Sequence, residues 1–364
     1  MPPTVAPARR VRSLSARAWR AAEILTSPLL PADTLDLLNP LRPGAVLAAR
    51  VVSVRAETAD AATVTLRPGA DWQGHLPGQY LRVGVEIDGV RHWRNYSLTS
   101  RVERPDGLIT ITTKAIPDGL VSNHLVRELR PGTLVHLDQA AGDFVLPTPL
   151  PEKVLFLTGG SGITPVMGML RNHVAQLPDI VLVHSAPTTR DVIFATELRD
   201  LAGAGYLRLV ELHTDTDGML DVTRDLPTLV PDWAQREVWA CGPAGLLEAC
   251  EAFWSAAGRA DALHVERFRP HLQVTGEGGT VTFTDSGVVL EADGGRPILE
   301  VAEAAGLLMP HGCRMGICYQ CVLPLRDGVV RDLRTGELTY AAPGDGIDVQ
   351  TCISAAAGPC EIEH

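Results

Sequence analysis

The sequence has no apolar run approaching the ~18 residues of a membrane-spanning helix, and its first residues hold no long apolar core of the secretory kind. Those two absences set aside membrane-spanning and exported classes, and a cytoplasmic protein is expected. Lysine is nearly missing too, with Lys114 and Lys153 standing beside thirty arginines. That bias follows genome composition first and carries little functional weight. Internal repeats are absent. Cysteines number seven, four of them between Cys313 and Cys352 and the others Cys241, Cys250 and Cys360. An odd, clustered set in a chain without an export signal argues for metal ligation over a disulfide framework.

What is present is a chain of 364 residues, 45% hydrophobic and 21% charged, too long for one ordinary core and suited to two or three globular domains. Its net charge of −11 is unevenly spread. Residues 1–20 carry five arginines and no acid, whereas residues 281–364 carry twelve acids against five arginines, a net −7. So acidic a segment is a poor polyanion binder, which argues against nucleic acid as the main partner. It could steer a basic docking partner, or be no more than a solvated acidic surface.

Residues 1–44 form an Arg/Ala-rich arm in which Leu14–Leu30 suits a helix, with Trp19, Ile24 and Leu25 among its apolar positions, until Pro28, Pro31, Pro40 and Pro43 break it. Docking on its own protein, a transit peptide, and a basic segment touching an anionic membrane or a membrane-bound partner all fit this composition. Over 45–148 short alternating segments such as Ala48–Val54, Ala62–Leu66, Tyr80–Glu86 and Leu108–Thr113, separated by Gly/Pro/Asp turns, predict an antiparallel β-barrel. Over 149–270 the period changes. Strands at Lys153–Leu157, Ile180–His184, Leu207–Leu212, Glu237–Ala240 and Leu263–Phe268 alternate with helical runs at Pro165–Leu177, Phe194–Ala202 and Leu246–Ala257, which predicts an α/β parallel sheet. Glycine-rich 271–279 reads as a linker. In 280–364 a hairpin (Thr280–Thr284, Val288–Ala292), a helix from Ile298, the cysteine loop and a last pair of short strands make a small α+β unit.

The cysteine loop reads Pro-His-Gly-Cys313-Arg-Met-Gly-Ile-Cys318-Tyr-Gln-Cys321, with thirty residues before Cys352. Cys-x4-Cys-x2-Cys followed by a distant cysteine is the spacing of plant-type [2Fe–2S] sites. Two irons need four thiolates, and a wide loop presents three of them if glycines such as Gly312 and Gly316 let it turn tightly. Structural zinc sites pair two short knuckles instead, whereas Cys352 stands alone. With its hairpin and helix the segment resembles plant-type ferredoxins, whose β-grasp fold and one-electron role are then expected. Cys360 lies outside the motif and reads as an incidental thiol.

Upstream, Arg94-Asn95-Tyr96-Ser97-Leu98-Thr99-Ser100 resembles the Arg-x-Tyr-Ser motif of the ferredoxin–NADP⁺ reductase superfamily. The resemblance implies that Arg94 meets flavin phosphate, Tyr96 packs on the isoalloxazine, and Ser97 lies near the reacting flavin edge, with Leu98 and Thr99 alongside. Gly119-Leu120-Val121-Ser122-Asn123 resembles the stretch that holds flavin phosphates at a helix start, and Gly142-Asp143-Phe144 resembles the close of the flavin domain. FAD is expected over FMN, although FMN-containing dioxygenase reductases share the domain order.

Strand Lys153–Leu157 runs into Thr158-Gly159-Gly160-Ser161-Gly162-Ile163-Thr164-Pro165 and then a helix. Glycines at such a turn let backbone approach a pyrophosphate, and Pro165 suits a first helical turn. The same superfamily pairs this loop with a later Cys-Gly-Pro, here Cys241-Gly242-Pro243, which implies that Cys241 packs beside the nicotinamide without acting as a nucleophile. A buried structural thiol is the plain alternative. Ser185 and Arg190 follow the next strand where no acid stands to hold a ribose hydroxyl, so NADPH is expected over NADH. His264 and Glu266 lie on the strand leaving this unit, and with no spacing rule to support a flavin role they read as ordinary strand residues.

The order flavin, pyridine nucleotide, iron–sulfur resembles single-chain oxygenase reductases, most closely the actinobacterial electron-transfer partners of membrane acyl-CoA desaturases. That resemblance implies hydride from NAD(P)H to FAD, then single electrons through Cys313, Cys318, Cys321 and Cys352 to a terminal oxygenase or desaturase. A reductase for a soluble Rieske ring-hydroxylating oxygenase, an electron-wiring subunit such as that of a dihydroorotate dehydrogenase, and a redox-sensing binding module are the alternatives.

Overall fold

The computed structural model describes residues 35–36, 38–117, 119–268, 277–312, 314, 316 and 319–364. The helix read over Leu14–Leu30, most of the linker, and Cys313 and Cys318 lie outside the described residues. Three sheets follow one another along the chain.

The first is antiparallel, with strands β1 (Ala48–Ala56), β2 (Ala61–Pro68), β3 (Tyr80–Ile87), β4 (Val90–Ser97), β5 (Ile109–Lys114) and β6 (Leu134–Leu137) in the order β4-β3-β6-β1-β2-β5. Period-two alternation turns Val64 and Leu66, Leu81, Val83 and Val85, and Ile109 and Ile111 into one core. Leu98, just past β4, bridges Ile111, and the Thr99 N–H donates to the Thr110 carbonyl at 2.8 Å. The sheet therefore closes into the expected barrel. Helix α1 (Leu120–Asn123) and a wider π turn over His124–Glu128 place Val121, Leu125 and Leu129 in the same core.

The second sheet is parallel, in the order β11-β10-β7-β8-β9, from β7 (Lys153–Gly159), β8 (Asp179–Ala186), β9 (Arg208–His213), β10 (Glu237–Cys241) and β11 (Leu263–Glu266). Helices α2 (Ile163–His173), α3 (Ala195–Gly203), α4 (Val222–Leu229) and α5 (Ala244–Ala256) cover it. Residues covered on both faces read as an unbroken apolar run, as Val154-Leu155-Phe156-Leu157 does. Between β9 and β10, where the sequence pattern shows no helix, stands α4, capped where the Asp221 carboxylate accepts from the Arg224 N–H at 3.0 Å. Because β8 follows β7 on one side and β10 returns on the other, a crevice opens at the C-terminal ends of β7 and β10. At the opposite edge Arg236, 4% exposed, donates to Asp179 Oδ1 and Oδ2 at 2.9 Å each and to Asp232 at 2.9 and 2.8 Å.

The third sheet runs β13-β12-β17-β14-β15, with β16 also on β14, from β12 (Gly279–Phe283), β13 (Val288–Ala292), β14 (Val322–Asp332), β15 (Leu338–Ala341), β16 (Ile347–Gln350) and β17 (Ser354–Ile362). Helix α6 (Ile298–Ala304) packs Ile298, Leu299 and Val301 into its core. Parallel pairing of β12 with β17 and antiparallel neighbours elsewhere give the β-grasp arrangement. The expected last pair of short strands is corrected: four strands follow the loop, two of them eleven and nine residues long.

Candidate active site

Strand alternation puts Arg94 and Tyr96 on one face of β4 and Ser97 on the other. Arg94 Nη1 donates to the Trp93 carbonyl at 2.8 Å, and among the described residues no carboxylate pairs with it. Burial, and next the nearby charge of Arg314, push its pKa down. A half-buried cation beside another cation suits a bound anion such as phosphate. Burial raises the Tyr96 phenol to about 12. Ser97 is buried, and its hydroxyl has no hydrogen-bond partner among the described residues. Leu98 fills the barrel core, while the Thr99 hydroxyl pairs with that of Thr110 at 2.8 Å. At the start of α1 a Cβ on Gly119 would stand 2.4 Å from Ser122 Oγ. That hydroxyl braces the turn, donating to the Gly119 carbonyl at 3.1 Å and accepting from the Ile116 N–H at 3.3 Å.

In the crevice of the parallel sheet the glycine loop presses directly on the Cys-Gly-Pro turn. A Cβ on Gly162 would lie 2.0 Å from the Cys241 carbonyl oxygen, and one on Gly159 would lie 2.7 Å from Pro243 Cδ; Gly242 meets Gly159 in the same way at 3.0 Å. Gly160 is left-handed at φ 54°. The Thr164 hydroxyl donates to the Ser161 carbonyl at 2.9 Å, one residue before Pro165 in the first turn of α2. This cradle accepts backbone and ligand but no side chain, which fits a dinucleotide pyrophosphate. Ser185 is the register partner of Gly159. Arg190 is exposed on a short turn that Thr188 and Asp191 cap reciprocally. Cys241 is fully buried, and desolvation holds its thiol pKa well above the usual value.

A further residue enters here that the sequence pattern left as an ordinary strand residue. Glu266 is the register partner of Cys241. Its Oε2 is buried with no hydrogen-bond partner among the described residues. Desolvation, and then the charge of Asp143, raise its pKa to about 8. The position of Glu266 at the end of β11 raises a flavin role from the sequence, but its other influence, Asp143, is more than a hundred positions away. His264, on the same face of β11, is stacked on Trp239 with centroids 4.5 Å apart.

In the third sheet Cys321 and Cys352 are both buried, and their thiols are hydrogen-bonded to one another, which pulls the Cys321 pKa down to about 6. The Thr351 N–H and hydroxyl donate to the Cys321 carbonyl at 3.1 and 2.9 Å. Gly316 is left-handed at φ 73°, as are the non-glycine Arg314 and Tyr319 at 59° and 56°. Gln350 Nε2 donates to the Gly316 carbonyl at 3.1 Å. Two adjoining thiols, that of Cys321 inclined to ionise, fit the thiolate donors of an iron–sulfur cluster.

Residues 48–146 match the family model described as oxidoreductase FAD-binding domain, 156–252 that of oxidoreductase NAD-binding domain, and 281–357 that of 2Fe-2S iron-sulfur cluster binding domain. The chain is 47% identical over 369 residues to an NADPH oxidoreductase of Mycobacterium tuberculosis (strain ATCC 25618 / H37Rv), covering 99% of this chain and 95% of that one. The chain belongs to the ferredoxin–NADP⁺ reductase superfamily, in the branch with a C-terminal [2Fe–2S] ferredoxin domain. The reductase is also 32% identical over 311 residues to the ferredoxin reductase component of a 3-ketosteroid-9-alpha-monooxygenase of Mycolicibacterium smegmatis, covering 78% and 87% of the two chains. Its fold matches that of phthalate dioxygenase reductase with a TM-score of 0.63 at 22% identity, covering 87% of this chain and 97% of that one. It is therefore an NAD(P)H-dependent electron-transfer oxidoreductase using FAD and a [2Fe–2S] cluster. The flavin, when bound, supplies the conversion between a two-electron donor and a one-electron carrier.

Proposed function

We propose that this reductase draws on NADPH and passes single electrons to the metal centre of a membrane fatty-acid (acyl-CoA) desaturase or hydroxylase, as a cytoplasmic protein that meets the membrane through its acceptor. The observation carrying this reading is that similarity to a relative named NADPH oxidoreductase spans 99% of the chain, so it includes most of the arginine-rich arm as well as the cofactor units. Among the described residues no helix is long and apolar enough to cross a membrane, so the arm and the acceptor would supply any membrane contact.

In this reading the units are 45–148, 149–270 and 280–364, with 271–279 as linker and 1–44 as arm. Arg94 and Gly119–Ser122 hold flavin phosphates, Tyr96 covers the ring, and the unpartnered Ser97 hydroxyl orients the reacting edge. Gly159, Gly160, Gly162, Thr164 and Pro165 seat the pyrophosphate, and Ser185 with Arg190 reads the 2′-phosphate. Cys241, Gly242 and Pro243 wall the nicotinamide. Cys241 acts as a packing group, since a buried thiol kept protonated is a poor nucleophile. Cys313, Cys318, Cys321 and Cys352 ligate the cluster.

Anaerobic titration with NADPH and NADH, followed by absorbance, tests the donor and both resident cofactors. Membranes carrying an acyl-CoA desaturase test the acceptor. Deleting residues 1–40 is expected to abolish NADPH-driven desaturation while leaving ferricyanide reduction intact; unchanged desaturation would overturn the arm's role. The resemblance to a monooxygenase's ferredoxin reductase component supports a second reading, a soluble Rieske oxygenase as acceptor. That reading prevails if purified oxygenase is reduced at full rate and the membranes are not.

A further inference from the structure

Immediately after Ser97 the chain leaves β4 and runs along the flank of α2, the helix that begins at the glycine loop. Gly168 of α2 lies so close that a Cβ there would stand 2.4 Å from the Leu98 carbonyl oxygen. One turn further on, Arg171 Nη1 donates to the Thr99 carbonyl at 2.6 Å. Asn172 Nδ2 donates to the Ser100 carbonyl at 3.1 Å, and its Oδ1 accepts the Val102 N–H at 2.9 Å. Each side chain is itself held. Arg171 donates through Nε and Nη2 to both Glu197 oxygens at 2.9 and 2.6 Å, and lies over the Phe194 ring at 4.9 Å. Asn172 Nδ2 also reaches the Gly168 carbonyl at 2.7 Å.

These bonds cross between the barrel and the parallel sheet at the rim of the apolar cluster that Ala61, Met169, Leu170 and Phe194 share. Beside them the seam opens into a cavity of about 700 Å³ bordered by Arg55, Glu57, Phe194, Glu197 and Asp200. The polar bolt holds α2 beside this opening, adding to the apolar contacts of Met167, Met169 and Leu170 further along the seam, and any tilt of α2 moves the glycine loop relative to Ser97.

We infer that Arg171 and Asn172 are positioning residues for hydride transfer, setting the nucleotide-bearing end of α2 against the Arg94–Ser97 strand. This rests on assigning the glycine loop and Ser97 to the two cofactors. Neither side chain meets a reacting atom; each acts through the backbone that follows Ser97. A misplacement of about 1 Å costs about a hundredfold in rate when reacting atoms must meet in one geometry.

The test uses flavin- and cluster-loaded full-length enzyme. Anaerobic stopped flow with NADPH and 4-deuterated NADPH gives the limiting rate of flavin reduction, the nucleotide Kd and the isotope effect, while hydrogen exchange follows residues 98–103. R171A and N172A are expected to lower the limiting rate about 10- to 100-fold with Kd within about threefold, and to raise exchange at the Val102 amide. R171K keeps a donor for the Thr99 carbonyl and is expected to recover most of the rate. Should R171A lose its flavin, N172A carries the same test. Faster exchange with a limiting rate within twofold of wild type would overturn the inference, leaving the bolt structural only. If G162A also left reduction by NADPH unchanged, the assignment of the glycine loop would fail instead, separately from the role of Arg171.

Discussion

Glu266 combines two costs that a folded protein seldom accepts together, a carboxyl oxygen closed off from solvent and, among the described residues, no hydrogen-bond partner for it. Holding the proton is the relief available to it, and a pKa of about 8 expresses that. The sign for stability follows. Between the ordinary value of 4.5 and about 8 the folded state keeps a proton that the unfolded chain has released. The contribution is complete below the ordinary value and is lost as pH rises through the folded one. Glu266→Gln is neutral throughout, so wild type should lose unfolding free energy relative to the variant as pH climbs, by about 1–3 kcal/mol at about pH 9. Denaturant unfolding of both proteins across that range checks it, and parallel profiles would show that Glu266 is ionised at neutral pH. Within Leu263–Phe268 only its place at the end of a strand hints at a special role, and no spacing rule carries the hint further. Its character comes from desolvation and, next, from the charge of Asp143, which a linear reading does not bring near.

At the scale of elements, legibility tracked how much each element owed to its own residues. The period-two strands of the barrel and the apolar runs of β7 and β8 carry their burial in their side chains, and the glycine loop carries its turn in residues with no Cβ to clash. β14 and β17 do not. The first contains Pro324 and Gly328, with pairing shifts at Leu325/Asp327 and Gly328/Val330, and the second reads Ser-Ala-Ala-Ala-Gly-Pro-Cys-Glu-Ile. Both have weak strand propensity, and they are strands because each is paired on both sides within the sheet. Arg236 is a comparable case. A lone arginine before a strand looks like surface, yet two aspartates and a backbone carbonyl enclose it at the start of the parallel sheet. Its charge draws Asp232 down to about 2, so the stability this pair contributes is present above about 4 and fades as pH falls toward 2. Arg236→Met leaves Asp179 without its cation and Asp232 with Lys153 alone at 3.0 Å, and is expected to cost about 2–4 kcal/mol near neutral pH, less in acid. Unfolding monitored at both pH values decides this; an equal loss at each would assign the effect to packing alone.

Across the whole molecule, the charge of the [2Fe–2S] segment is arranged so that its cations are paired while many of its acids are not. Each of the five arginines between residues 281 and 364 sits in an ion pair: Arg296 with Asp293, Arg314 with Glu303, Arg326 with Glu363, Arg331 with Glu277 and Arg334 with Asp332. Asp285, Glu300, Asp327, Asp345, Asp348 and Glu361 remain exposed with no arginine partner among the described residues. The segment holding the exit cofactor therefore shows solvent an almost purely negative field, which attracts cations within a screening length of about 10 Å at ordinary salt. Electron delivery to the basic protein cytochrome c should then fall several-fold as salt rises from about 20 to about 500 mM, whereas reduction of the ferricyanide anion should rise or hold. Steady-state rates with both acceptors at saturating NADPH, on one preparation, give the comparison. The pairing of opposite slopes matters more than either alone, because salt acting on nucleotide binding or on the flavin step would shift both acceptors together. Parallel slopes would place the salt-sensitive step upstream of the cluster and remove the acidic surface from acceptor choice. Opposite slopes would mean that a physiological acceptor docks through a basic face, whether it sits in a membrane or in solution.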